Sequence, residues 1–355
     1  MRANVIVTAS GSIIGEGIIK CLKFANSRKE DTRSLSYEIV ACDMNAQAPG
    51  LYRGDFGILL PSPYSTDYIE KLIKIAKSHG SQAIFCGSDE ELIPLVENRE
   101  RLERESGARL ISNPPSVLER GMDKWKTYQF LKEANLPRAE SALPEMKDEF
   151  VRSMGFPLVV KPRGGHGSTS IFIVRDFAEI EAAISSIEKS GGKPILQEFL
   201  KGDEAEFTTG IAVNDTGDRV LSSIAMRRTL KHGQTYKAFV DDFPIVRKSA
   251  EKVALSFGCI GPLNVQSRIV DGEPKVFEIN PRFSASCPIR AVAGVNEPDV
   301  VFRNAVLGED LNVSSYRKIV ALRYWNELYV PLEAYEETRR SEETKSDASF
   351  LAEYF

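Results

Sequence analysis

Three oxygen-bearing side chains near position 270 could do chemistry together. Gln266 sits in an apolar, strand-like run, and Glu278 and Asn280 stand two apart in the next such run. Strand alternation puts residues i and i+2 on one face, so Glu278 and Asn280 point the same way. An Asp271-Gly272 turn between the runs brings Gln266 back alongside them. One carboxylate with two carboxamides suits Mg2+, which keeps several waters and completes its octahedron with phosphate oxygens; Mn2+ is the alternative.

The surrounding elements must position this trio. Short apolar runs alternate with helical stretches over residues 4–8, 15–24, 37–42, 66–78 and 83–86, which predicts βα units and a parallel sheet. The turn after the first run holds Gly11 and Gly15 but Ile13 between them, so a GxGxxG fingerprint is broken. A tight strand-to-helix turn is the favoured reading; a dinucleotide site with Asp43 as its ribose acid is the alternative. The pattern breaks at Asn113-Pro114-Pro115, and a helix is expected over 124–133. A strand at 158–162 then runs into the glycine-rich segment 163–168, followed by a strand at 170–174 and an amphipathic helix at 177–189. Beyond lies an antiparallel meander at 194–198, 204–213, 220–226, 265–270 and 275–279, with a helix at 245–257. The tail, 333–355, reads as a surface helix or a disordered segment.

The string Glu278-Ile279-Asn280-Pro281-Arg282, preceded by Asn264-Val265-Gln266, closely resembles the metal-binding signature of ATP-grasp enzymes, in particular the carbamoyl-phosphate synthetase large-chain branch. The resemblance runs over residues 1 to about 325. It implies a mixed α/β and α+β fold: a Rossmann-like pre-ATP-grasp domain (1–118), a small lobe with a glycine-rich phosphate loop (119–193), a large lobe with the metal site (194–330) and a charged tail (331–355). The implied ligands are ATP and Mg2+, with Gln266, Glu278 and Asn280 as metal ligands. Lys124 and Lys161 match basic residues that contact the nucleotide phosphates, Lys161 standing out because it closes an apolar strand. Gly164, Gly165, His166, Gly167 and Ser168 resemble the lid over the triphosphate. Glu198, Phe199 and Leu200 resemble the hinge that reads adenine, and Glu204 matches the ribose acid, with Glu206 its rival. Arg282, with Lys161, is the catalytic candidate, facing the carboxylate and the transferring group.

The implied reaction joins a carboxylate to an amine, or to a thiol, through an acylphosphate, releasing ADP and phosphate. The synthetase branch usually has another arginine where Ala285 stands, which argues against bicarbonate as the carboxylate. Residues 284–290 are candidates for the acyl pocket, with Arg290 for a second carboxylate. The basic stretch 227–235 is either an anion site or a solvated loop. A non-catalytic nucleotide sensor of the same fold, a carbamoyl-phosphate-synthetase-related activity and an NAD enzyme are the competing readings.

Composition narrows the partners. With 355 residues, 42% hydrophobic, and a formal charge of −4, the chain has no field to gather nucleic acid or an anionic membrane. Small-molecule carboxylates and amines are the expected partners, and a homodimer is compatible. The five cysteines form no CxxC pair, no apolar run reaches membrane-spanning length, and residues 1–8 leave no room for a signal peptide, so a cytoplasmic location is expected.

Overall fold

The computed structural model describes residues 1–27, 35–165, 170–201, 206–324 and 326–352. The first domain contains β1 (Arg2–Val7), α1 (Ile13–Ser27), β2 (Ser36–Asp43), β3 (Phe56–Leu59), α2 (Tyr68–Ser78), β4 (Ala83–Phe85), α3 (Asp89–Glu97), α4 (Arg99–Ser106), β5 (Arg109–Ile111) and α5 (Pro115–Gly121). Its five strands are parallel, in the order β3-β2-β1-β4-β5. The expected βα alternation is therefore present. The short β3 and β5 went unread, their few apolar residues being too few for a period.

A small lobe follows: α6 (Lys124–Glu133), β6 (Ser141–Ala142), α7 (Lys147–Met154), β7 (Leu158–Pro162), β8 (Phe172–Val174), α8 (Phe177–Lys189) and β9 (Pro194–Glu198). Its sheet runs β6-β9-β7-β8. Helix α8 starts where Asp176 caps the backbone N–H of Glu179, a bond of about 1 kcal/mol. It buries Ile180, Ala183, Ile184 and Ile187, the i, i+3, i+4, i+7 stripe of an amphipathic helix, on a core built wholly from this lobe.

The large lobe holds β10 (Glu206–Val213), β11 (Val220–Lys231), β12 (Gln234–Val240), α9 (Pro244–Ser256), β13 (Gly261–Val270), β14 (Glu273–Asn280), α10 (Cys287–Ala293), α11 (Glu297–Leu307) and β15 (Ile319–Leu322). Its antiparallel sheet runs β14-β13-β10-β11-β12-β15. Central β10 is buried along its whole length. Ala212, Leu221, Phe283 and Val300 to Phe302 join Val5, Val7 and Ile18 in one core, so the large lobe and the first domain are packed as a unit.

One expectation is corrected, and the surface helix expected in the tail is present with short strands beside it. The stretch 227–235 is a β11–β12 hairpin, not a loop, turning through His232 and Gly233 at φ 51° and 73°. The tail is an ordered strap through residue 352: β16 (Leu328–Tyr329), α12 (Leu332–Ser341), β17 (Glu343–Lys345) and β18 (Phe350–Leu351). Strand β17 pairs antiparallel with β3 and extends the first sheet. Among the described residues, no helix is long and apolar enough to cross a membrane.

Candidate active site

Strands β13 and β14 are joined by Asp271 and Gly272, both at positive φ (52° and 83°), as a two-residue turn requires. The turn sets the pairing from Val270–Glu273 to Ser267–Val276, and a bulge between Gln266 and Ser267 then shifts the register by one, which places Gln266 directly opposite Glu278 and Asn264 opposite Asn280. The carboxamide nitrogens of Asn280 and Gln266 lie 3.1 and 3.4 Å from Glu278 Oε1. The trio inferred from strand alternation is thus brought together.

Burial alone would push the Glu278 carboxyl up. The nearby Lys124 and Lys161 ammoniums, the Asn280 contact and Arg282 outweigh it, and the net effect holds the group below its ordinary range. It is a carboxylate at neutral pH. Lys161 is 4% exposed and donates to Gln197 Oε1 (2.8 Å) and to the Phe277 carbonyl (3.3 Å). Burial pulls its ammonium down to about 8; the Glu278 charge resists this, and Lys124 adds to it. Lys124 opens α6, where Asp123 caps the Trp125 and Lys126 N–H groups and also grips Arg163 at the end of β7. The Lys124 Nζ donates to the Gly165 carbonyl at 3.1 Å.

These groups border one cavity of about 370 Å³, lined by Lys124, Lys161, Gly164, Gly165, Gln266, Glu278, Asn280 and Arg282. Ser284, Ala285 and Ser286 border it too, as expected. His166, Gly167, Ser168 and Glu204 lie outside the described residues. The hinge candidates Glu198, Phe199 and Leu200 lie outside this cavity, with the Glu198 carboxylate drawn onto Lys275 (2.5 Å) and the Glu140 N–H (3.2 Å). Glu206, the rival ribose acid, is committed to two guanidiniums: Arg228 Nη2 at 2.8 Å and Arg268 Nη2 at 2.9 Å.

Arg290 is a correction. It is 0% exposed, pairs with Glu297 at 2.9 Å, and donates to Thr208 (2.9 Å) and Asn264 (2.7 Å). A substrate carboxylate has no access to it. The helix that carries it turns inward, and two buried charges satisfy each other there.

The first domain supplies residues that sequence reasoning missed. Ser12, Ser88, Asp89 and Glu90 all line the cavity. They follow β1 and β4, and the chain runs outward from β1 in opposite directions at that point, to β2 on one side and β4 on the other. In open α/β sheets, ligands settle at such a switch point, beyond the carboxyl ends of the strands. That rule was the available signal. The glycines of the first turn serve packing: a Cβ on Gly15 would lie 2.2 Å from the Ala9 carbonyl oxygen. Asp43 accepts the N–H of Gly11 (2.8 Å) and of Asn45 (2.9 Å), so its carboxylate braces the turn. Arg228, in the basic stretch 227–235, borders the cavity as well, donating to Gln266 Oε1 at 2.9 Å.

The donor set fits a magnesium ion. Among the described residues no group of three or more His, Cys, Asp or Glu is placed to hold a metal. A cation at Glu278 would therefore lean on carboxamide and phosphate oxygens, which suits a hard, partly hydrated ion rather than zinc.

Residues 122–286 match the ATP-grasp domain family, and residues 14–111 match the PylC-like N-terminal domain family. The carbamoyl phosphate synthase large chain of Pseudomonas syringae pv. tomato is 22% identical over 343 residues, covering 92% of this chain and 31% of its own length. That of Vibrio cholerae is 22% identical over 330 residues, covering 88% and 30%. The chain thus spans under a third of the length of these relatives. Among solved structures, the biotin carboxylase domain of Hydrogenobacter thermophilus 2-oxoglutarate carboxylase, with MgADP and bicarbonate, aligns with TM-score 0.68 at 19% identity, over 92% of this chain and 79% of that one. N5-carboxyaminoimidazole synthetase from Staphylococcus aureus, complexed with ADP, aligns with TM-score 0.66 at 16% identity, over 96% and 85%. These likenesses show an ATP-grasp fold behind an N-terminal α/β domain.

Proposed function

We infer, the chain being an ATP-grasp protein with a PylC-like N-terminal domain, that it is an ATP-dependent ligase that phosphorylates a carboxylate and transfers the acyl group to an amine. The observation that carries this reading is the Glu278 carboxylate, held ionised between two carboxamides and two ammoniums in a cleft shared by all three parts of the chain.

A carboxylate resists attack by an amine because it is a delocalised anion with no good leaving group. In the proposed sequence a carboxylate oxygen bonds to the γ-phosphorus as the bond to the β,γ-bridging oxygen breaks and ADP leaves. The amine nitrogen then bonds to the acyl carbon, phosphate departs, and the nitrogen loses a proton. Such transfers are driven by positioning and charge stabilisation rather than by a covalent enzyme intermediate. This accords with the absence of a Ser-His or Cys-His pairing among the described residues that line the cavity.

Lys161 and Lys124 are placed to neutralise phosphate oxygens, and flexible ammoniums do so without demanding one geometry. Glu278, Asn280 and Gln266 are the residues to hold magnesium, which when bound would neutralise charge on the β and γ phosphates. Arg282 borders the same space and would face the transferring group. Gly164 and Gly165, at the start of the glycine-rich segment, border the phosphate side of the cavity. The N-terminal domain's Ser12, Ser88 and Glu90, with Ser284 and Ser286, frame the acceptor side. Ala285 brings no charge to that side, which favours an organic carboxylate such as an amino acid over bicarbonate.

The test is a phosphate-release screen of amino acids and small carboxylates in pairwise combination with amines, followed by mass spectrometry of the product. A carboxylate-dependent, amine-dependent release with a new C–N product supports the reading. Binding of NAD without binding of Mg-ADP would overturn it.

A further inference from the structure

We propose that Asp89 is a positioning residue that aims Arg282 and, through it, Asn280, so that the N-terminal domain governs how the cleft takes up magnesium and phosphate. The proposal rests on the ligase reading above.

Asp89 is the first residue of α3, whose N-terminus is fixed by the Ser88 hydroxyl accepting the Glu91 N–H. It is 8% exposed. Across 193 residues of sequence its carboxylate meets Arg282 as a two-pronged fork, Nε to Oδ1 at 2.9 Å and Nη2 to Oδ2 at 3.0 Å. Such bidentate, charge-assisted pairs set orientation as well as energy.

Counting the guanidinium's five N–H groups shows what the fork does. Two go to Asp89, one from Nη2 goes to Asn280 Oδ1 at 3.2 Å, and one from Nη1 goes to the Phe283 carbonyl at 3.1 Å. Among the described residues a single Nη1 hydrogen is left for the cavity that Arg282 borders. Arg282 is therefore no free-swinging clamp. It presents one N–H in one direction, and its own Nη2 also donates to the carboxamide oxygen of Asn280.

Removing the Asp89 charge leaves a nearly buried guanidinium beside the Lys124 and Lys161 ammoniums, where like charges repel it. Glu278, whose carboxylate already feels Arg282, and Glu90 are the other acids that line this cavity, and Glu278 is the one that belongs to the metal-binding trio. The freed guanidinium would turn toward it and compete with magnesium for its oxygens.

The isosteric Asp89→Asn variant tests this by calorimetric titration of ADP at graded Mg2+. We expect the Mg2+ concentration that half-maximally tightens ADP binding to rise about tenfold, the usual scale for losing the partner of a ligand-orienting group. The effect is read as the ratio of ADP affinity with Mg2+ to ADP affinity without it in the same variant, so that any direct effect of the lost charge on the phosphates cancels. In an Arg282→Met background, Asp89→Asn should add nothing. An unshifted Mg2+ response, or the same shift in the Arg282→Met background, would overturn the proposal. If the melting temperature of Asp89→Asn shows misfolding, Asp89→Glu, which keeps the charge and displaces the fork, is read in the same way. The two ideas fail separately: a wild-type protein that shows this coupling yet releases no phosphate with any carboxylate sinks the ligase reading and leaves the positioning role standing.

Discussion

Nucleotide binding should take up a proton in alkaline solution, and Lys161 is the reason. The side chain closes β7 with 4% exposure, and burial pulls its ammonium down to about 8. A polyphosphate brought against it supplies the negative charge it lacks and restores its pKa toward the ordinary lysine value near 10.4. At pH 7 the lysine is almost wholly charged before and after binding, so little proton moves. At pH 9 it is mostly neutral in the free protein, and the binding reaction must recharge it. The affinity lost between pH 7 and pH 9 is then about tenfold, or about 1.4 kcal/mol, the price of one pKa unit. The terminal phosphate of Mg-ADP, with a second pKa of about 6, is mostly deprotonated at pH 7 and fully so at pH 9, so it takes up no proton at the alkaline end. Calorimetry with Mg-ADP in two buffers of different ionisation enthalpy measures the uptake directly: about one proton at pH 9 and about a tenth of one at pH 7. Lys161→Met should bind weakly and without this pH dependence. An affinity that is flat from pH 7 to 9 in the wild type refutes the argument.

The same lysine sets a stability trend. Its folded pKa lies below its unfolded value, so between about pH 8 and pH 10 the unfolded chain holds more protons and stability rises with pH, by about 2 kcal/mol relative to Lys161→Met in urea titrations at each pH. Glu278→Ala should cut phosphate release by about a hundredfold with little change in melting temperature, since the group's work is charge placement in the cleft; ordinary turnover would sink the site assignment. The same variant removes a charge that supports the Lys161 ammonium, so its pH break for ADP binding should move below 8. Arg290→Ala should cost about 3 to 5 kcal/mol by stranding Glu297, seen as a lowered urea midpoint.

The legible parts of this chain were those where a local pattern carries its own geometry. Helices α6 and α8 were read to the residue because the apolar stripe and its caps are local signals. Glu278 and Asn280 were readable because alternation along one strand is local; Gln266 stands opposite Glu278 only because a bulge beside Ser267 shifts the register by one, which the Asp271-Gly272 turn does not announce. What escaped depends on distant partners. Asp89 is one more acid at a helix start until Arg282 arrives from 193 residues away. Arg290 reads as a pocket cation for a second carboxylate, and only Glu297, Thr208 and Asn264 together reveal it as core. Strand β17 has three residues, two of them charged, with no apolar period to read; it exists because β3 offers an edge.

That last strand has a mechanical consequence. The chain leaves the first domain after α5 and returns to it as β17, so that domain is tethered to the rest at both ends as well as sharing a core with the large lobe. Pulling it away would need two connections to give at once. The small lobe is built differently: the part from β6 to β9 has a core of its own, while Phe130, Leu131 and Leu136, on and just after α6, pack into the large lobe. An opening in which that separate sheet swings would leave Asp89, Arg282, Glu278 and Lys124 on the fixed side and carry Lys161 away from them.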